Sequence, residues 1–142
     1  MKKIILSVAA GFTIFNSYAQ KMKEADVPAT VKSAFAKQYA AVKVVNWEME
    51  DGKYEAGFDL NKVKTSVLID PKGNITETES KIAVSALPKT VTDYCVKNYA
   101  DKKIAEASKI VDAKGVITYE AEINKKDVLF DSEGKFIKES QD

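Results

Sequence analysis

One pattern of residues occurs twice along this 142-residue chain, and the first residues of the two copies, Val27 and Leu87, are 60 positions apart. Each copy contains an apolar residue followed by Pro, a Tyr, a Tyr-Glu-Ala triplet, an apolar triplet followed by Asp, and a Gly. A unit this small buries a core of its own poorly and usually packs against its copy. The repeat therefore predicts one two-lobed domain, an architecture that suits binding better than catalysis. The pattern lies at 27–28, 39, 54–56, 67–70 and 73 in the first copy, and at 87–88, 99, 119–121, 128–131 and 134 in the second.

The first 19 residues have the three parts of an export signal. Lys2 and Lys3 form a charged start, residues 4–15 are predominantly apolar, and Ser-Tyr-Ala at 17–19 fits a small-x-small cleavage site. The apolar stretch is too short for a transmembrane helix. We expect cleavage after Ala19 and, since no Cys follows, a mature protein without a lipid anchor or membrane span that is periplasmic or secreted. The expected divisions are a signal peptide at 1–19, a first repeat at 20–80 and a second repeat at 81–142.

Within each repeat, the apolar residues first have the period of a helix and then the period of a strand. Val31 and Phe35 in the first copy, and Val91 and Cys95 in the second, lie on the apolar stripe of a predicted helix. Alternating apolar and polar residues, broken by turn residues such as Asp-Gly, follow each helix. The predicted fold class is α+β, a tandem repeat of one helix followed by a four-stranded antiparallel sheet, with residues 81–86 as the joint between the lobes.

The composition argues against catalysis and against nucleic-acid binding. The chain has no His and one Cys, so the usual general bases and zinc ligands are missing. All 22 basic residues are Lys, and the formal net charge of +1 becomes −1 when Lys2 and Lys3 are removed. Without Arg or a basic block, the chain lacks the groups that dominate phosphate and guanine recognition. We therefore expect no enzyme activity, no metal, no cofactor and no nucleic-acid partner.

Cys95 occupies the place of Phe35 in the repeat, on the apolar side of the second predicted helix. The simplest interpretation is a buried packing residue, because no His is present to activate a thiolate. The alternative is an intermolecular disulfide or a reactive thiol in an oxidising compartment.

Several aromatic residues alternate with polar ones in the first predicted hairpin. Trp47, Tyr54, Phe58 and Leu60 are expected to face the helix and form the core. A carbohydrate-binding platform made of the three aromatic residues is the alternative.

Three acidic residues are candidates for a binding site on the opposite, solvent-facing side of the sheet. An Asp-Gly turn at 51–52 predicts a hairpin that sets Glu48 opposite Glu55, with Asp59 on the same face. Like charges placed opposite each other are unfavourable. The pair is either a solvated acidic ladder, a site for a cation or a basic partner, or an acid/base pair with one raised pKa.

Leu68 and Leu129 lie in the middle of the apolar triplets of the two copies, so alternation points both to the solvent-facing side. Burial against a linker or against the other lobe explains this most simply. A partner-binding patch is the alternative.

The segments 67–75 and 128–136, which read Val-Leu-Ile-Asp-Pro-Lys-Gly-Asn-Ile and Val-Leu-Phe-Asp-Ser-Glu-Gly-Lys-Phe, resemble the strand, turn and strand of PepSY-type modules. With the export signal and the tandem copies, residues 25–140 are similar to β-lactamase-inhibitor-like, PepSY-like periplasmic proteins. The resemblance implies two helix-plus-four-strand repeats and a non-enzymatic role, in groups associated with inhibiting peptidases or β-lactamases. It assigns no contact residue in this chain.

Two functional hypotheses follow. The first is an exported, inhibitor-like binding module that contacts an envelope or secreted protein through its open sheet face. The second is an envelope protein that binds a cation or small ligand at an acidic sheet face. The candidate binding residues are Glu48, Glu55, Asp59, Leu68 and Leu129, and no catalytic or metal-binding residue is predicted.

Overall fold

The computed structural model describes residues 20–141, so the expected signal peptide and its cleavage after Ala19 lie outside the described residues. The described part contains two α-helices and nine strands, and the α+β class is confirmed. The first repeat consists of α1 (Ala29–Gln38), β2 (Asn46–Glu50), β3 (Lys53–Leu60), β4 (Val63–Ile69) and β5 (Ile75–Ile82). The second consists of α2 (Lys89–Asn98), β6 (Ile104–Asp112), β7 (Ile117–Ile123), β8 (Lys126–Asp131) and β9 (Phe136–Gln141). A short strand β1 (Gln20–Met22) precedes them.

All nine strands form one antiparallel sheet in chain order, from β1 to β9. The two four-stranded units join edge to edge, because β5 pairs with β6 from Glu77 opposite Asp112 to Ile82 opposite Ala107. The predicted joint at 81–86 is therefore partly strand, and only the 3₁₀ turn Val84–Ala86 and its flanks connect the repeats. Strand β1, which the sequence analysis did not predict, pairs with β2 at the edge of the sheet.

Each helix packs on the same side of the sheet over its own hydrophobic cluster. The clusters contain eight buried residues each, and they correspond position by position in the repeat. Large residues of the first cluster, Phe35 and Trp47, are replaced by Cys95 and Ala107, whereas Ile69 is replaced by the larger Phe130. Packed interiors leave little free volume, so these exchanges keep both clusters filled. The clusters are Val27, Val31, Phe35, Trp47, Ala56, Phe58, Val67 and Ile69, and Leu87, Val91, Cys95, Ala107, Ala121, Ile123, Val128 and Phe130.

The prediction that the first hairpin supplies core aromatic residues is confirmed. Trp47 and Phe58 are buried, and Tyr54 packs against the same cluster. Phe35 contacts Trp47 and Phe58 edge-on, with ring centroids 5.6 and 5.1 Å apart. The prediction for Leu60 is wrong: it is 38% exposed, because it is the last residue of β3, beside the turn to β4.

The turns after β4 and β8 bring a glycine against the start of each helix. Asp70 Oδ1 and Asp131 Oδ1 each accept hydrogen bonds from the backbone amides two and four positions later, all at 2.9 Å. Gly73 and Gly134 have φ values of +87° and +79° in these turns. Thr90 Oγ1 in α2 donates to the carbonyl oxygen of Glu133 at 2.9 Å, which ties the second turn to its helix.

Cys95 is 4% exposed within the second cluster, and burial raises the pKa of its thiol. Its expected burial is confirmed. We predict that a thiol reagent modifies native Cys95 at least about 100-fold more slowly than the denatured protein, because local opening must come first and the neutral thiol is a poor nucleophile. Labelling rates followed by mass spectrometry test this.

The matched control is Val96→Cys in a Cys95→Ala background. Val96 is 77% exposed on the next position of α2, so the moved thiol should react rapidly in the native state. Equal rates for the two native proteins, or a disulfide-linked dimer of the wild type, would contradict the prediction.

Candidate functional site

The face of the sheet opposite the helices is here called the open face. Residues directly opposite each other in antiparallel strands lie on the same face. Glu48 is opposite Glu55, Glu55 is opposite Leu68, Leu68 is opposite Glu77, and Glu77 is opposite Asp112. Leu68 therefore lies between two glutamates, within a row of carboxylates that runs across β2, β3, β5 and β6.

The open face encloses a cavity of about 300 Å³ that is lined by residues of all eight strands from β2 to β9. Strands in a sheet are about 4.8 Å apart, so eight strands laid flat would extend over roughly 34 Å. The cavity thus spans most of the width of the sheet. Leu68 on β4 and Leu129 on β8, one from each repeat, line this same cavity.

The cavity combines an apolar floor with an acidic rim. Its apolar side chains are Leu68, Ile110 and Leu129, and its one basic residue is Lys138. Of the 21 acidic residues in the chain, seven line this cavity. They are Glu50, Asp51, Glu55, Glu77, Glu79, Glu120 and Asp127.

The two repeats build the cavity in the same way. Glu55 is opposite Leu68 in the first repeat, and Glu120 is opposite Leu129 in the second. The repeats differ on the far side of each leucine, where Leu68 has Glu77 as its neighbour and Leu129 has Lys138. The part of the cavity around Leu68 is therefore the more acidic one.

Of the five residues proposed from the sequence, the structure brings three together at the cavity, namely Glu55, Leu68 and Leu129. Glu48 lies opposite Glu55 as predicted, but it lines a separate groove beside β1. Asp59 is opposite Lys64 in the β3–β4 register and lines a depression at the far end of β3. Neither of these two carboxylates lines the cavity.

Sequence reasoning missed Ile110 and most of the acidic rim. One signal was present for Glu120, since the Tyr-Glu-Ala triplet sets it in the place of Glu55. Glu77, Glu79 and Ile110 belong to β5 and β6, the strands that join the repeats. The β4–β5 pairing within the first repeat sets Glu77 opposite Leu68 and Glu79 opposite Ser66, so of the three only Ile110 depends on the junction.

Burial and neighbouring charges alter the titration of the cavity groups. Burial is the main cause that raises the pKa of Glu55, and the carboxylates of Glu79 and Glu48 add to it, while a hydrogen bond with Ser66 opposes it. Lys81 lies 2.9 Å from Glu106 and 3.8 Å from Glu79. Burial acts to lower the pKa of Lys81, but these carboxylates raise it overall.

Ser108 is fully buried, and in the described part of the chain its hydroxyl has no hydrogen-bond partner. Lys81 and Glu120 are its neighbours on the adjacent strands, so Ser108 points to the open face. Buried hydroxyls are normally hydrogen-bonded, which makes this one an exception.

Among residues 20–141, no three acidic, Cys or His side chains are grouped so that they could hold a metal ion. Within the same range, no helix is long and apolar enough to cross a membrane.

The family model described as "Putative beta-lactamase-inhibitor-like, PepSY-like" matches the chain twice, at residues 13–77 and 54–138. The resemblance noted in the sequence is thereby confirmed. No curated protein matches the chain.

Solved structures share the fold at low sequence identity. A "putative periplasmic" protein from Bacteroides eggerthii is 16% identical with a TM-score of 0.71, over 80% of this chain and 88% of that chain. A protein from Bacteroides uniformis is 20% identical with a TM-score of 0.65, over 79% and 87% of the two chains. A "BLIP-like" protein from Bacteroides fragilis is 18% identical with a TM-score of 0.58, over 80% and 84%.

Proposed function

The chain belongs to the β-lactamase-inhibitor-like, PepSY-like family, and from this membership we propose that it is an exported, non-enzymatic binding module that holds a partner protein on the open face of its sheet. Binding there acts in an inhibitor-like manner on an envelope or secreted protein. The export signal predicted from the sequence at 1–19 and the periplasmic description of one protein with the same fold support the localisation.

The observation that carries the proposal is the cavity built jointly by the two repeats. Protein interfaces typically have an apolar centre surrounded by a polar rim. The floor of Leu68, Ile110 and Leu129 and its acidic rim match that anatomy. The outer sides of the helices instead carry exposed lysines such as Lys37 and Lys97.

We predict that Leu68→Asp reduces capture of the partner from an envelope extract at least about 10-fold, because loss of a central anchor typically costs about 2 kcal/mol or more and about 1.4 kcal/mol corresponds to 10-fold. The bait is the mature protein beginning at Gln20, and the captured partner is quantified by mass spectrometry. The loss should persist at high salt, because the lost contact is apolar.

Val96→Asp is the matched control, since it introduces the same charge on the outer side of α2 and should leave capture unchanged. Each variant must keep the wild-type circular dichroism spectrum and melting temperature. If folded Leu68→Asp captures as well as the wild type, while Val96→Asp or Lys97→Glu abolishes capture, the partner binds the helical side and the proposal is wrong.

A further inference from the structure

We propose that the partner fills the cavity with a basic, extended segment, which lays the aliphatic part of a Lys or Arg side chain over Leu68 and sets its cationic group between Glu55 and Glu77. This inference rests on the proposed function, because it names the chemistry of the partner segment at the same face.

Charge complementarity indicates a cationic occupant. The whole chain is almost neutral, with 22 basic and 21 acidic residues, yet seven of the carboxylates line one cavity. Lys138 lines it as well, and Lys81 approaches it through Glu79. Acidic residues outnumber basic ones in the lining by seven to one, and complementary charge is how interfaces select and orient their partners.

The arrangement around Leu68 indicates a long side chain rather than a small ion. Leu68 lies directly between Glu55 and Glu77 on the neighbouring strands. Lys and Arg side chains commonly lie along apolar surface while their charged ends contact polar groups. A bare metal ion would gain nothing from the leucine floor, and among residues 20–141 no group of three suitable ligands is present.

One carboxylate of the cavity is unfavourably placed without an occupant. Glu55 is partly buried beside Glu79 and Glu48, and its pKa is raised. A cation between Glu55 and Glu77 would offset that repulsion.

The cavity volume agrees with an inserted side chain. At about 300 Å³ it is at the lower end of the range of roughly 300–1,000 Å³ seen for small-molecule pockets. One long side chain and part of its backbone are a suitable occupant of this space.

The test uses isothermal titration of the mature protein with capped peptides of six residues. We expect a peptide of alternating Lys and Leu to bind, and the matching peptide of alternating Glu and Leu not to bind. A peptide of alternating Lys and Ser should bind at least about 10-fold more weakly, because it lacks the apolar contacts. Absence of binding by the Lys-Leu peptide up to millimolar concentration would overturn the inference.

The matched variants carry equal changes of charge. Glu55→Gln with Glu77→Gln should weaken binding of the Lys-Leu peptide at least about 10-fold, since two charge-assisted contacts are lost. Glu24→Gln with Asp26→Asn, in the exposed 3₁₀ turn before α1, should change it less than about 2-fold. Equal effects of the two pairs would show non-specific charge attraction and overturn the inference.

Spermidine and calcium chloride, titrated separately, identify the other possible occupants. Spermidine binding as tightly as the Lys-Leu peptide, or calcium displacing that peptide, would overturn the inference in favour of a small cation. If Leu68→Asp reduces partner capture but no basic peptide binds, the proposed function survives and only this inference fails. If the peptide binds but capture is unchanged in Leu68→Asp, the proposed function fails.

Discussion

Replacing Phe130 by Ala should lower the free energy of unfolding by about 3–5 kcal/mol. Phe130 is 0% exposed and is the largest fully buried side chain in the described part of the protein. Its ring lies edge-on to Tyr94, at a centroid distance of 5.4 Å, and 6.3 Å from Phe136. Two other members of the same cluster, Cys95 and Ala107, have small side chains, so the cluster can fill only part of the space that the ring would leave.

Urea unfolding of the mature protein measures this change. For a domain whose total stability is about 5–15 kcal/mol, the loss would be a large fraction. Phe136→Ala is the control, because Phe136 stacks on Tyr94 in the same aromatic group but is 43% exposed. If Phe136→Ala destabilises as much as Phe130→Ala, the second cluster is not centred on Phe130 and the prediction is wrong.

Gly134→Ala should cost about 3 kcal/mol or more, the second-largest effect that we predict. Its φ of +79° already costs an L-residue about 1–2 kcal/mol. The added Cβ would also lie 1.9 Å from Thr90 Oγ1 and 3.0 Å from Thr90 Cβ. To relieve this contact, Thr90 must rotate and give up its hydrogen bond to the Glu133 carbonyl, or α2 and the turn must move apart, and overpacking of this kind typically costs about 1–3 kcal/mol.

Gly115→Ala isolates the backbone part of this effect. Gly115 has a similar φ of +81°, but an added Cβ would meet nothing within 4 Å. Its cost should therefore be only about 1–2 kcal/mol. The double variant Gly134→Ala with Thr90→Ala removes the colliding hydroxyl and should recover part of the loss in a double-mutant cycle. If Gly134→Ala and Gly115→Ala lower the free energy of unfolding equally, the contact with Thr90 costs nothing and the prediction is wrong.

The binding face was predictable only where a local signal existed. The Asp-Gly turn fixed the pairing of Glu48 with Glu55, and the structure has this pairing. The outward direction of Leu68 and Leu129 followed from strict alternation. Glu77 and Glu79 were missed because their register opposite Leu68 and Ser66 follows an irregularity in the β4–β5 pairing, and Ile110 was missed because its position depends on the pairing of β5 with β6.

The sequence by itself determined the two repeats, the order of helix and strands within each repeat, and most of the core residues. These follow from local periodicity and turn chemistry, which act over a few residues. Tertiary structure alone decided that β5 and β6 join two sheets into one and that Leu68 and Leu129 reach one cavity. The alternation of residues along a strand predicts the face on which a side chain lies. The twist of a sheet, in contrast, arises from all its strands together. The acidic cavity is therefore a property of the complete nine-stranded sheet.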